Sequence, residues 1–184
     1  EEHGSLAIAE KMLAPFSKYV PSDSTVIDVG ANIGDHTVTY AEWVGSGGSV
    51  IAIEPVPEIF DCLCFNMKGK SHVVPMNVAL SDKDSIVAVQ IQDNFGASYL
   101  IEDCEGRTDL CMTVTLDSFD YRGVSFIKID AEGFETKILR GATKTILREK
   151  PVMLIEVNDG ALVRAGSSKI ELRDLIESLG YNTE

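Results

Sequence analysis

The sequence predicts an α/β fold, a mostly parallel central sheet with helices on both faces, and three observations carry that prediction. Short β-branched runs alternate with stretches of helical periodicity along the chain. Residues 124–129 and 152–155 are nearly continuous apolar runs, as expected of strands covered on both faces of a parallel sheet. The run Thr25-Val26-Ile27-Asp28-Val29-Gly30-Ala31-Asn32-Ile33-Gly34 reads as a buried strand and a glycine turn that opens a helix.

The elements follow in order. A leading helix over about 5–19 keeps Leu6, Ala9, Met12, Leu13 and Phe16 at helical spacing and ends before Pro21. Strand 25–29, helix 35–44, strand 49–53, helix 57–67 and strand 72–74 come next. Val78-Ala79-Leu80 then runs into the polar turn Ser81-Asp82-Lys83-Asp84, and residues 85–91 alternate as a strand. Residues 93–110 hold Asn94, Gly96, Gly106 and several charges, and read as a long loop or weak hairpin of the kind that often carries function. Strands 111–115 and 124–129, helix 134–147, strand 152–157 and helix 169–179 complete the pattern.

One domain spans 1–184, long enough for a single sizeable core. Lys+Arg number 16 against 29 Asp+Glu, and the formal charge of −13 argues against nucleic-acid or anionic-membrane partners. A neutral or cationic acceptor is the easier one to accommodate. Cys62, Cys64, Cys104 and Cys111 show neither a Cys-x-x-Cys pair nor disulfide-scaffold density, which reads as thiols of a reducing, cytoplasmic compartment. No run approaches the roughly 20 apolar residues of a membrane span. The chain begins at Glu1 and reads like a domain excised from a larger polypeptide.

Three stretches carry chemistry. Gly30 and Gly34 are spaced Gly-x-x-x-Gly, with Ala31 where a dinucleotide loop would begin its pyrophosphate cradle, so a cofactor without pyrophosphate fits better than NAD or FAD. Backbone N–H groups of this loop are expected to approach the ligand. Glu54, followed by Pro55, closes the next strand about 20 residues past the glycines, where a carboxylate accepts from a ribose diol; its other reading is a cap for helix 57–67. In Lys128-Ile129-Asp130-Ala131-Glu132-Gly133-Phe134-Glu135, Lys128 and Asp130 share a strand face at the sheet's carboxyl edge, and strand 152–157 brings Glu156, Asn158 and Asp159 to the same edge. A strand-end acid in an apolar run has a desolvation cost that a ligand or partner must offset.

With these residues in place the chain resembles the FkbM family of methyltransferases. The resemblance runs through Asp28-Val29-Gly30-Ala31-Asn32-Ile33-Gly34, Glu54-Pro55 with Phe60 and Asn66, and Asn77-Val78-Ala79-Leu80-Ser81. It continues through Thr115-Leu116-Asp117, Ile127 to Gly133 with Glu135, Gly141-Ala142, and Lys150-Pro151 leading to Glu156. It implies a Rossmann-like methyltransferase fold, S-adenosylmethionine as cofactor, and O-methylation of a hydroxyl on a sugar, glycan or related polyol. The chain stops where Tyr181-Asn182 should start the last hairpin of such a sheet, so that hairpin is expected to be truncated.

The resemblance implies cofactor contacts from Asp28, Gly30, Ala31, Asn32, Gly34, Glu54, Pro55, Asn77, Val78 and Ala79. An alcohol acceptor must lose its proton as the new bond forms. Asp130 is the first choice of base, with Glu156 and His36 behind it and Lys128 positioning Asp130 or binding the acceptor oxygen. Asn94, Ser98, Tyr99, Glu132 and Asn158 are the expected acceptor contacts, since a polyol needs groups that both donate and accept. No metal is assigned. Two other readings stay open: an NAD-dependent sugar-nucleotide oxidoreductase, which lacks the third loop glycine, and a non-catalytic S-adenosylmethionine-binding module.

Overall fold

A computed structural model describes residues 9–92, 98–105 and 109–182. Strands β1 (Thr25–Val29), β2 (Ser49–Ile53), β3 (Val73–Met76), β8 (Val124–Ile129) and β9 (Val152–Ile155) form a wholly parallel sheet in the order β3-β2-β1-β8-β9. Strands β4 (Ala79–Leu80), β5 (Ser85–Gln90), β6 (Tyr99–Ile101) and β7 (Leu110–Val114) form a second sheet in the order β4-β7-β5-β6, parallel between β4 and β7 and antiparallel elsewhere. The helices are α1 (Asp35–Val44), α2 (Pro57–Asn66), α3 (Glu135–Gly141), α4 (Thr143–Glu149), α5 (Asp159–Arg164) and α6 (Lys169–Ser178).

The pleat sorts the central strands into two cores. Val26, Val50, Ala52 and Phe126 face Leu13, Tyr40, Val44 and Leu63, so α1 and α2 cover this side. Ile27, Ile51, Ile53, Ile127 and Ile129 face the other way, onto Ile138, Leu139, Ile146, Leu172 and Ile176 of α3, α4 and α6. Phe126 is fully buried, its ring 5.7 Å from Tyr40 and 6.2 Å from Phe16. Burial of one such side chain contributes about 1.5–3 kcal/mol. The second sheet packs its own apolar face, Ala79, Val87, Val89 and Cys111, on Val56 and Ile59 at the start of α2. That contact brings β4, β5 and β6 beside the carboxyl ends of β1 and β2.

The expected alternation of elements is present, with five departures. The leading helix is α-helical over 9–13 and then narrows to a 3₁₀ turn at Ala14–Tyr19. Pro15 lacks the N–H of an interior helical position and its ring crowds the preceding turn. The single helix expected over 134–147 is two, broken at Ala142. The Asp117 carboxylate accepts from the N–H groups of Lys144 (2.9 Å) and Thr145 (2.8 Å), capping α4 from a distant part of the chain. The region 93–110 contributes β6, paired with β5. β4 has only two residues, too few for periodicity to reveal. Finally, α5 occupies a stretch assigned no element; Asn158 is its N-cap and accepts from the N–H of Ala161 at 3.2 Å.

Among the described residues β9 is an edge strand, and Tyr181 donates its hydroxyl to the Pro151 carbonyl at 2.8 Å. No described helix is long and apolar enough to cross a membrane.

Asp117→Ala should lower unfolding free energy by about 1–2 kcal/mol, because two N–H groups of the first turn of α4 lose a charged acceptor. Urea denaturation tests this. An unchanged midpoint would mean that water replaces the cap without loss.

Candidate functional site

Register places the charged side chains in two rungs. Asp28 on β1 lies beside Ala52 on β2 and Lys128 on β8, and Lys128 lies beside Leu154 on β9. Two residues further along each chain, on the same face, stand Glu54, Gly30, Asp130 and Glu156. The lower rung is buried and the upper one opens at the carboxyl edge of the sheet.

Lys128 ties the rungs together. Its side chain is only 7 % exposed; Nζ donates to the Gly30 carbonyl at 2.7 Å and lies 3.3 Å from Asp130 Oδ2 and 3.7 Å from Asp28 Oδ1. Asp28 is fully buried, and its Oδ2 accepts from the Thr37 hydroxyl at 2.6 Å. A buried carboxylate of this kind is tolerated only when paired and hydrogen-bonded. Asp28, expected to touch the cofactor, is buried beneath the cavity with Lys128 and Thr37 as its partners.

The glycine loop also differs from expectation. The N–H groups of Gly30 and Ala31 both donate to the Ile53 carbonyl, that of Asn32 to Glu54 Oε2, that of Ile33 to Asn32 Oδ1, and that of Gly34 to the Ala31 carbonyl. All five are satisfied within the protein, so the loop contributes shape and not free donors. Gly30 has φ +71°, and a Cβ there would lie 1.9 Å from the Asp130 carbonyl oxygen, so glycine is what lets the β1 and β8 termini touch. Gly34, at φ +100°, is pressed against Leu63 and Met67 and serves the seating of α2.

Glu54 combines its two expected roles. Its Oε1 accepts from the Val56 N–H (2.9 Å) and its Oε2 from Asn32 (3.0 Å), yet the residue lines the cavity above the sheet edge. Burial pushes its carboxyl up from the ordinary value, and the Val56 and Asn32 donations oppose that. Asn77 donates its side-chain N–H to the carbonyls of Glu54 and Pro55 and so secures this turn from outside.

Gly30, Asn32, Glu54, Pro55 and Ala79 from the expected cofactor set line one cavity with Asp130, Glu132, Ser98 and Tyr99 from the expected catalytic and acceptor sets. Val56, Leu80, Val89, Leu100 and Ile138 complete much of its apolar wall, and sequence reasoning missed them because apolar side chains carry no chemical signature. Ala31, Val78, Lys128, Glu156, His36 and Asn158 do not line it. Ala31 is buried, Val78 packs on the core, and Asn158 is engaged as the cap of α5. Asn94 lies outside the described residues.

Glu156 reaches the cavity through a partner. A hydrogen bond to Asp130, then that carboxylate's charge and burial, push Glu156 up to about 7. His36, at the start of α1, feels Asp28, Lys128 and Asp130; burial holds it below its ordinary value, with the Asp28 charge opposing. The loop after β8 is held by Glu135, whose Oε1 accepts from the N–H groups of Ala131 and Gly133, each at 3.1 Å. Glu135 is therefore structural. The arrangement can orient a diol on one side and take up a proton on the other.

The family model described as Methyltransferase FkbM domain matches residues 28–183. The hexuronic acid methyltransferase AglP of Haloferax volcanii is 26% identical over 143 residues, covering 75% of this chain and 57% of the relative. The chain thus spans little more than half of that protein's length. Among solved structures, a methyltransferase FkbM from Methylobacillus flagellatus shares 24% identity at a TM-score of 0.53, over 73% of this chain and 33% of that one. A SAM-dependent O-methyltransferase from Thermotoga maritima shares 16% at 0.51, over 96% and 49%. A precorrin-6y C5,15-methyltransferase from Geobacter metallireducens shares 15% at 0.56, over 95% and 72%. These structural likenesses speak for the fold.

Lys128→Met should cost about 3–5 kcal/mol of stability by leaving the buried Asp28 carboxyl without its ammonium partner, and adding Asp28→Asn should recover part of it. Urea denaturation of wild type, single and double variants reads both. A loss below about 1 kcal/mol for the single variant would show that the ammonium does not compensate Asp28.

Proposed function

Because the chain belongs to the FkbM methyltransferase domain family, we propose that it is an S-adenosylmethionine-dependent O-methyltransferase acting on a hydroxyl of a sugar or related polyol. One observation carries the reading: Glu54 and Asp130, at the ends of strands flanking β1, line a single cavity with Gly30 between them. The family assignment removes the basis for an NAD-dependent oxidoreductase. The relative named for hexuronic acid supports a sugar as acceptor.

The residues present fit the cofactor. Glu54 lines the cavity while each of its oxygens takes one backbone N–H, which leaves acceptor positions for a ribose diol. Gly30 and Asn32 would border the amino-acid tail, and Pro55, Val56, Ala79 and Leu80 would flank the adenine. When bound, S-adenosylmethionine supplies a methyl group already activated by its sulfonium.

The protein's own contribution is alignment and proton transfer. Holding reactants in line is worth effective molarities on the order of 10⁵ M or more. The acceptor hydroxyl gives its proton to the Asp130–Glu156 pair, joined by a hydrogen bond that pushes the Glu156 carboxyl up. Lys128 holds Asp130 in place at 3.3 Å. Ser98, Tyr99 and Glu132 border the same cavity and supply groups suited to neighbouring hydroxyls.

Transfer of labelled methyl from S-adenosylmethionine to a panel of sugars and glycosides, followed by mass spectrometry, tests the activity. A panel without product and a cofactor that does not bind would overturn it. Glu54→Ala should weaken cofactor binding by about 1–3 kcal/mol, roughly 5- to 150-fold in Kd by calorimetry. An unchanged Kd would remove Glu54 from the ribose.

Asp130→Asn should lower kcat at least about tenfold with cofactor affinity retained. In the wild type the pair accepts a proton best once Glu156 has lost its own, so kcat should rise with pH through about 7 and then level. A flat profile from pH 5 to 9 would place the base elsewhere.

A further inference from the structure

The cavity has a neighbour across β6. Tyr99 and Leu100 also line a second groove, completed by Glu102, Phe134, Lys137 and Arg164. The two hollows share β6 as a common wall.

Their charges differ in sign. Glu54, Asp130 and Glu132 line the first cavity, in a chain of net charge −13. The groove presents two cations. Arg164 stacks its guanidinium 4.0 Å from the centre of the Tyr99 ring and donates to the Glu132 carbonyl at 3.3 Å. Among the described residues it forms no ion pair with a carboxylate, although the Glu132 charge is close enough to interact with it. Lys137 sits 4.4 Å over the Phe134 ring and 3.1 Å from Glu102, which Lys83 also approaches at 3.9 Å. Its side chain is 16 % exposed, so the ammonium is held in the groove wall.

A guanidinium held 4.0 Å from the centre of an aromatic ring is partly ordered by it, and its planar fork matches a carboxylate bidentately. An anion entering beside three acids would be repelled without such a counter-charge. We propose that Arg164, with Lys137 beside it, selects an acceptor that bears a carboxylate, a uronic acid or its glycoside, seating the acid group over the Tyr99 side while a ring hydroxyl faces Asp130. This deepens the proposed methyltransferase reading and rests on it for the hydroxyl's fate. The overall negative charge, which favoured a neutral or cationic acceptor, is reversed locally where the acceptor enters.

The test is calorimetric titration of the protein with 4-nitrophenyl β-D-glucuronide, the matching glucoside, and the glucoside 6-phosphate. The glucuronide should bind at least about tenfold more tightly than the glucoside. Arg164→Gln should collapse that ratio towards one, and Arg164→Lys, which keeps charge but loses the fork, should retain part of it. The preference should shrink as salt rises from 50 to about 500 mM. Thermal melts of the exposed Arg164 variants confirm that they are folded.

Equal binding of the two glycosides, no binding of either, or a preference surviving Arg164→Gln would overturn the proposal. Tighter binding of the 6-phosphate would overturn the carboxylate in favour of a phosphorylated sugar. A glucuronide that binds with the expected preference but takes up no methyl group would overturn the methyltransferase reading alone.

Discussion

A single buried ammonium holds this site together. Lys128 donates to the carbonyl of Gly30 and faces carboxylates on two levels, Asp28 below and Asp130 above. Charges removed from water on this scale are costly, several kcal/mol each after relaxation, so they persist only because each offsets another. The pairing joins β1 to β8 by side chains as well as by backbone. It also sets Asp130 at the cavity rim with a fixed neighbour.

The upper rung inherits that order. Gly30 can have no side chain because the Asp130 carbonyl occupies the space a Cβ would need. Glu54 is fixed from below by two backbone N–H groups and from outside by Asn77 bound to its carbonyl. Burial pushes Glu54 up while those donors pull it down, a balance that keeps an acid both enclosed and able to accept. Asp130 and Glu156 form the contrasting pair, in which a hydrogen bond to Asp130 and that carboxylate's charge push the Glu156 carboxyl up. Two kinds of acid chemistry thus sit a strand apart.

Much of the candidate site was legible because strand ends in a parallel sheet are easy to locate in sequence. Glu54 and Asp130 each terminate an apolar run, and both reach the cavity. Asp28 terminates no less apolar a run but one residue pair deeper, and a residue pair is the difference between lining the cavity and lying buried beneath it beside Lys128. The glycine loop was recognised correctly and its donors were not, since hydrogen bonding within 30–34 depends on where Ile53 and Glu54 end. Asp117 looked like part of a family signature; its carboxylate caps α4.

By itself the sequence determined the parallel α/β core, the family, and the acids at the sheet's carboxyl edge, because strand periodicity and strand-end residues are local properties of the chain. Tertiary structure alone decided that β4, β5, β6 and β7 form a separate sheet, that Tyr99 divides an acidic cavity from a cationic groove, and that Glu156 is hydrogen-bonded to Asp130. Arg164 and Tyr99 stand 65 positions apart on a helix and a strand whose own patterns are short and weak. Contacts between such segments arise from how whole layers pack, and no local pattern encodes them.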